Sequence, residues 1–362
     1  MPLLPIQEVK PGCYLGNTIY TENGLPLLQK GVKLTASYIR RLEKKGYKSL
    51  FVLSEDEKDI ELKDVVSPVL RQNTQRMLFN TFEKLKDSEQ PRRFANNFNQ
   101  LNGMVDKIVD ELRYQQSLVA DLVNLKCVSS YTLEHSVNVG ILGAILGIKS
   151  GLNRREVRNL LRAGLFHDIG KLFVPEEILH KPAALTDEEY QQMKAHPEKG
   201  FQLLHYQLDV DPIISVGSKT HHERWDGSGY PLGTAGKETH AFGRILAAVD
   251  VYDAMTSDRV YRKALPPHEV LEYINDLSGT QFDPEVVDLF NKSVYPYPTG
   301  MHITLNTGEK AIVIENNPKR ISRPTVRLLS GKDGRREIYD LSANPDITIV
   351  SESAEHIRPM GA

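Results

Sequence analysis

At 362 residues the chain is long enough for two or three domains and for a sizeable core. Its 45 basic and 47 acidic side chains leave a formal charge of −2, which excludes a molecule drawn as a whole to nucleic acid polymers or to an anionic membrane. Any anionic ligand has to be held locally.

The two cysteines, Cys13 and Cys127, stand far apart and in no metal-type pairing, which argues against a disulfide framework and for a reducing compartment. Met1 to Lys10 holds no basic segment followed by an apolar one, and the longest nearly apolar run, Val137 to Ile148, is well short of the ~20 residues of a membrane helix. A cytoplasmic protein without a membrane anchor is expected.

Residues 1–55 read as a small α+β module: extended Cys13 to Tyr20, a Glu22-Asn23-Gly24 turn, apolar Leu25 to Leu28, a helix near Ala36 to Lys45, then extended Lys48 to Leu53. Asn-Gly between apolar runs is a hairpin signal. Residues 56–125 read as a charged linker followed by amphipathic connecting helices, with Leu101, Met104, Ile108 and Leu112 at helical spacing. Residues 126–292 are almost wholly helical in pattern. Thr186 with Glu189 makes a capping box, Pro197 suits a first helical turn, and Gly151 and Gly170 stand where helices should stop. Residues 295–355 carry short apolar segments, Ile303 to Leu305, Ala311 to Ile314, Thr325 to Leu329, Glu337 to Leu341 and Ile347 to Val350. Turn-forming stretches separate them, which predicts a small antiparallel sheet or barrel. The fold class is therefore mainly α, with small flanking modules at both ends.

The helical middle places polar groups where a core should be apolar. His135 lies beside Val137, Val139 and Ile141; His167 and Asp168 end the run Leu160 to Phe166; Asp250 is embedded in Ile245 to Val251. An unpaired carboxylate buried there costs several kcal/mol, so each needs a strong partner, and a bound cation supplies one. A lone histidine on an apolar face is ordinarily a hydrogen-bonded core residue. Here two imidazoles and two carboxylates recur together with His196, His221 and His222, an N/O donor set that suits Mn, Fe, Zn or Ni rather than Ca. The segment from His221 to Pro231 (HHERWDGSGYP) cannot be an ordinary helix, and its glycines let backbone approach a ligand closely.

These motifs are Tyr131-x-x-x-His135, His167-Asp168-x-Gly170-Lys171, His196-Pro197-x-x-Gly200, the HHERWDGSGYP segment, and Asp250-x-x-Asp253 continuing to Arg262. Together, from about Cys127 to Asn291, they closely resemble the HD-GYP branch of the HD phosphohydrolases. The resemblance implies an all-helical phosphodiesterase that opens cyclic di-GMP at a two- or three-metal site, giving linear pGpG or GMP. By matching position it implies His135, His167, Asp168, His196, His221, His222 and Asp250 as metal ligands, Asp168 bridging. Lys171, Tyr230, Arg259 and Arg262 are implied as substrate contacts. Asp253 and Asp226 are expected behind the ligands, Asp253 orienting His or Lys groups. Trimetal members carry a glutamate where this chain has Tyr131, a poor ligand for hard divalent ions, so two ions, Fe or Mn, are expected.

A hydroxide shared by two such ions is the expected nucleophile, and no protein nucleophile is then required. Asp168 and Lys171 are the expected catalytic pair. Three readings stay open: this enzyme; a silent cyclic dinucleotide receptor that keeps its metals; and a phosphodiesterase for 3′,3′-cyclic GMP-AMP. A homodimer and a signalling partner acting through the terminal modules are compatible with the chain.

Overall fold

Buried apolar side chains gather into three clusters in chain order, the first from Ile6 to Val52, the second from Val65 to Val294 and the third from Met301 to Leu341. The computed structural model describes residues 3–20, 26–47, 49–55, 57–61, 64–86, 95–115, 131–208, 210–257, 264–329 and 337–352. Among them no helix is long and apolar enough to cross a membrane.

Around the first cluster lie β1 (Leu3–Pro5), β2 (Tyr14–Leu15), β3 (Ile19–Tyr20), β4 (Pro26–Leu28), α1 (Ala36–Lys44) and β5 (Ser49–Leu53). β5 is the centre of an antiparallel sheet of order β1-β5-β2, and β3 pairs with β4. The expected Glu22-Asn23-Gly24 turn lies outside the described residues. Thr35 caps α1 by accepting the Tyr38 N–H, and Leu42 turns inward.

The second cluster is helical: α2 (Pro68–Lys86), α3 (Ala95–Tyr114), α4 (Tyr131–Lys149), α5 (Arg154–Phe166), α6 (Glu176–Leu179), α7 (Asp187–Lys194), α8 (His196–Gln202), α9 (Pro212–Thr220), α10 (Ala241–Thr256), α11 (Pro267–Asp276) and α12 (Pro284–Asn291). α4 is its axis. From Leu133 to Leu146 its apolar residues are buried all round, as a helix that is hydrophobic on every face must be. α5 packs along one side of it and α10 along another. The expected connecting helices α2 and α3 pack on the same core, giving it Leu78, Leu101, Val105 and Ile108. Each such fully buried side chain contributes ~1.5–3 kcal/mol.

The capping box at Thr186 and Glu189 is formed, Pro197 sits in the first turn of α8, and Gly151 follows the end of α4 with φ +86°. Gly170 is different. α5 already ends at Phe166, and Gly170 lies within a 3-10 segment, Ile169–Phe173. Its lack of a side chain serves a close approach, described below, rather than a helix stop.

The third cluster is enclosed by β6 (His302–Leu305), β7 (Lys310–Glu315), β8 (Thr325–Leu328), β9 (Ile338–Asp340) and β10 (Ile349–Glu352), an antiparallel sheet of order β10-β6-β7-β8-β9. The face of this sheet opposite the cluster meets residues 57–59 of the chain. His302 Nε2 lies 2.7 Å from Glu57 Oε1, and the Arg327 guanidinium forms a bidentate pair with Asp59 at 2.6 and 3.0 Å.

Candidate metal centre

Five helices deliver the polar residues to one buried point. His135 projects from the first half of α4, His167 caps the C-terminus of α5 and Asp168 follows it. His196 opens α8, His221 caps α9 with His222 next, and Asp250 lies in α10. All are buried except His222 and Asp250, which are partly exposed.

The last carbonyls of a helix lack intrahelical donors, and three histidines use them. Nδ1 of His167 bonds to the Gly164 carbonyl at 2.8 Å, Nδ1 of His196 to Met193 at 2.8 Å, and Nδ1 of His221 to Ser218. A carbonyl only accepts, so Nδ1 carries the hydrogen in each ring and Nε2 is left with a lone pair. Nε2 of His196 and Nε2 of His221 then face each other at 3.3 Å, and Nε2 of His167 is buried without a hydrogen bond, as is Oδ1 of Asp168. Converging lone pairs sealed from water repel unless a cation lies between them. The donor set therefore fits divalent metal.

Potential ligand atoms fall in three overlapping groups: His196, His221 and His222; His135, His167 and Asp250; and His167, Asp168 and His221. Within each group they lie no more than 4.8 Å apart. Asp168 stands between the first two. Its Oδ1 is 3.3 Å from His196 Nε2, and its Oδ2 is 3.3 Å from His167 Nε2.

Burial opposes the charge on Asp168 and Asp250, but neighbouring histidines, with Lys171 for Asp168, outweigh it and hold both carboxyls well below the usual range. Burial likewise opposes charge on His135. There the hydrogen bonds and charges of Asp250 and Asp253 win and raise it to about 10 with no cation bound, so a metal ion held by Nε2 and Asp250 would have to displace that proton. His221 and His222 go the other way. Burial, followed for His221 by the adjacent imidazoles, lowers His221 well below its ordinary value, and burial lowers His222 to about 4. Both present neutral rings at neutral pH, as ligation requires.

Asp253 accepts His135 Nδ1 at 2.8 Å and Asn138 Nδ2 at 3.0 Å, fixing the ring from behind and tying α10 to α4. The Lys171 ammonium donates to Asp168 Oδ2 at 2.6 Å from the 3-10 turn rather than from a continued helix. A Cβ on Gly170 would lie 1.8 Å from the His196 carbonyl oxygen, so glycine alone lets the Asp168 segment touch the start of α8.

The loop after His222 is held by Glu223, which is buried and accepts the N–H groups of Leu232 at 2.6 Å and Thr234 at 3.2 Å. A Cβ on Gly229 would meet Arg224 N at 2.3 Å, which is how the loop folds back on itself. Tyr230 N–H then reaches the His222 carbonyl at 3.1 Å, and the Tyr230 ring stacks on the His222 ring at 4.7 Å. Burial above all keeps the Tyr230 phenol protonated.

Asp226, expected behind the ligands, does not reach them. It is exposed and accepts the Ser228 N–H and hydroxyl in a local turn, and Glu223 is the buried carboxylate of this loop. Arg259 and Arg262 lie outside the described residues, as does the side chain of Tyr131. Sequence reasoning passed over Glu223, Asn138 and Ser218, whose hydroxyl donates to the carbonyls of Phe166 and His167 at 3.0 Å each.

Residues 117–286 match the family model for the HD domain, and residues 302–356 match the KOW domain associated with HD domain. The chain is 37% identical over 225 residues to a Pseudomonas aeruginosa protein named cyclic di-GMP phosphodiesterase PA4108, covering 62% of this chain and 54% of that one. It is 35% identical over 190 residues to a Vibrio cholerae protein named 3′3′-cGAMP-specific phosphodiesterase 1, covering 52% and 43%. The chain thus spans about half the length of the curated relatives it matches. A solved structure of Bd1817, an HDG"Y"P protein from Bdellovibrio bacteriovorus, has a TM-score of 0.52 and 17% identity over 80% of this chain and 95% of that one, a likeness of fold. Motifs and family model agree: residues 117–286 carry an HD domain, similar in sequence to domains of proteins named cyclic di-GMP phosphodiesterases.

Proposed function

We propose that the protein is a metal-dependent phosphodiesterase that hydrolyses cyclic di-GMP to linear pGpG or GMP. The observation that carries this reading is the position of Asp168, one oxygen turned to each of two histidine-rich groups. His135, His167 and Asp250 would hold one divalent ion, His196, His221 and His222 a second, and Asp168 would bridge them. Two ions, Fe or Mn, suit this donor set, and Tyr131 in place of a third-ion glutamate supports two rather than three. Ions so placed supply a nucleophile from water at neutral pH and neutralise phosphate charge.

The chain's own residues do the rest. Asp253 keeps the His135 ring oriented, and the carbonyls of Gly164, Met193 and Ser218 keep three other histidines in the ligating tautomer. Lys171, partly exposed above Asp168, presents an ammonium to a non-bridging phosphate oxygen. The protonated Tyr230 donates from the loop edge rather than stacking on a base, because the His222 ring already lies against its ring.

The test is turnover of cyclic di-GMP by protein prepared anaerobically with Mn(II) or Fe(II), beside Asp168→Ala, with chromatographic identification of product. Turnover that is lost in the variant is the expected result. Tight binding without turnover under either metal would establish a receptor instead. Cyclic GMP-AMP belongs in the same assay, since the similarity to the Vibrio cholerae relative favours it as a second substrate.

A further inference from the structure

We propose that Lys194 is a substrate-binding residue that takes the second phosphate of the cyclic dinucleotide, the one not being cut. This rests on the phosphodiesterase reading above.

Lys194 is the last residue of α7, and the carbonyl just before it, that of Met193, is the one that anchors His196. Its backbone is therefore fixed to the metal centre. Its ammonium lies 4.8 Å from the centroid of the Tyr230 ring and 5.6 Å from that of Tyr190, one helical turn back. The Tyr230 ring also stacks on His222 at 4.7 Å, so the ammonium lies no more than about 9.5 Å from the centre of the His222 ring.

Among the described residues this ammonium has no carboxylate partner. The nearest acids in sequence are engaged elsewhere, Glu198 by Lys219 at 2.8 Å and Glu189 by Lys181 at 2.6 Å. Lys171, the other lysine at the centre, already donates to Asp168. A partly buried cation held between aromatic rings, without an anion, is a site prepared for one. A cyclic dinucleotide carries two phosphodiesters on opposite sides of one macrocycle. With one at the metal centre, the other must be met at the rim, and a substrate with a single phosphate would make no use of Lys194.

The experiment compares wild type, Lys194→Met and Lys194→Arg on cyclic di-GMP and on bis(p-nitrophenyl) phosphate, with metal content measured for each. Methionine keeps the stem and removes the charge. The expected result is a rise in KM for cyclic di-GMP of ~10-fold or more in the methionine variant, from loss of one charge-assisted contact. Its kcat and its hydrolysis of bis(p-nitrophenyl) phosphate stay near wild type, metal content is unchanged, and the arginine variant recovers most of the affinity. An unchanged KM, or an equal loss on both substrates, would overturn the assignment and leave the enzyme reading intact. Wild-type protein that cleaves bis(p-nitrophenyl) phosphate but no cyclic dinucleotide would overturn the proposed substrate, and the role of Lys194 with it.

Discussion

Gly170→Ala tests whether the metal centre depends on contact between two backbone segments. The added Cβ would lie 1.8 Å from the His196 oxygen, 2.6 Å from Gly200 N and 2.8 Å from the His196 carbonyl carbon, all backbone atoms that no rotamer change can move aside. Opening the shortest contact to 3.0 Å separates the segments by about 1.2 Å. Asp168 rides on one segment and His196 on the other, and their ligand atoms are 3.3 Å apart. Overpacking of this kind costs ~1–3 kcal/mol of stability, which for a unit of this size lowers the unfolding midpoint by several degrees. The larger effect falls on function, because a displacement of ~1 Å near reacting groups costs ~10²-fold in rate. The assay pairs metal content by mass spectrometry with turnover of cyclic di-GMP, and with near-UV circular dichroism to show that the variant is folded. A folded variant with reduced metal content and a rate lower by ~10²-fold is expected. Full metal content and wild-type turnover in Gly170→Ala would refute the claim that this contact sets the spacing of Asp168 and His196.

Asp253→Asn removes the charge that orients His135, and metal affinity measured by chelator competition should fall ~10- to 100-fold while the thermal midpoint moves little. Glu223→Ala leaves the Leu232 and Thr234 N–H groups without their acceptor and should loosen the Tyr230 loop. Trp225, the chain's single tryptophan, lies in that loop, and an unchanged emission spectrum would count against the latch. Burial alone would raise the Glu57 carboxyl, but the His302 hydrogen bond and the Ser54 N–H outweigh it and hold it at about 2, against 4.5 in the unfolded chain. The stability Glu57 contributes is therefore complete above about pH 4.5 and lost as pH falls toward 2, and it amounts to ~2 kcal/mol once solvent screening is allowed for. In metal-stripped protein, urea midpoints between those pH values should fall more steeply for wild type than for Glu57→Gln, and parallel curves would refute the assignment.

What was legible in the sequence follows from which signals are local. The strands from His302 onward and the capping box at Thr186 are encoded within a few residues, and the structure has them within one or two positions. His135, His167, Asp168 and Asp250 were conspicuous because charge inside an apolar run is too costly to leave unpartnered. The same rule, extended to neutral groups, finds more. Asn138 sits between Val137 and Val139, one turn from His135 on the same face of α4, and its amide supports the carboxylate that orients that histidine. Ser218, one turn before His221 near the end of α9, holds the His167 carbonyl in place. Asn138 is a polar residue in an apolar run and serves His135 only through Asp253, whereas Ser218 bonds to two ligand residues directly, by its hydroxyl to the His167 carbonyl and by its own carbonyl to His221.

Other features had no local signal. Glu223 and Asp226 are acids three residues apart in one loop, and only the path of the chain back through Gly229 decides that the first is buried and the second exposed. The pairs from Glu57 to His302 and from Asp59 to Arg327 join opposite ends of the sequence, and neither partner falls on a periodic face that would announce it. Gly170 read as a helix stop because both a stop and a close approach call for glycine, and only the neighbour across the contact tells them apart. In each case the missing information is a second segment of chain. The buried charges were legible because their cost is fixed by burial alone, whichever partner relieves it; the loop acids and the glycine are defined by the partner and could be read only once it was in place.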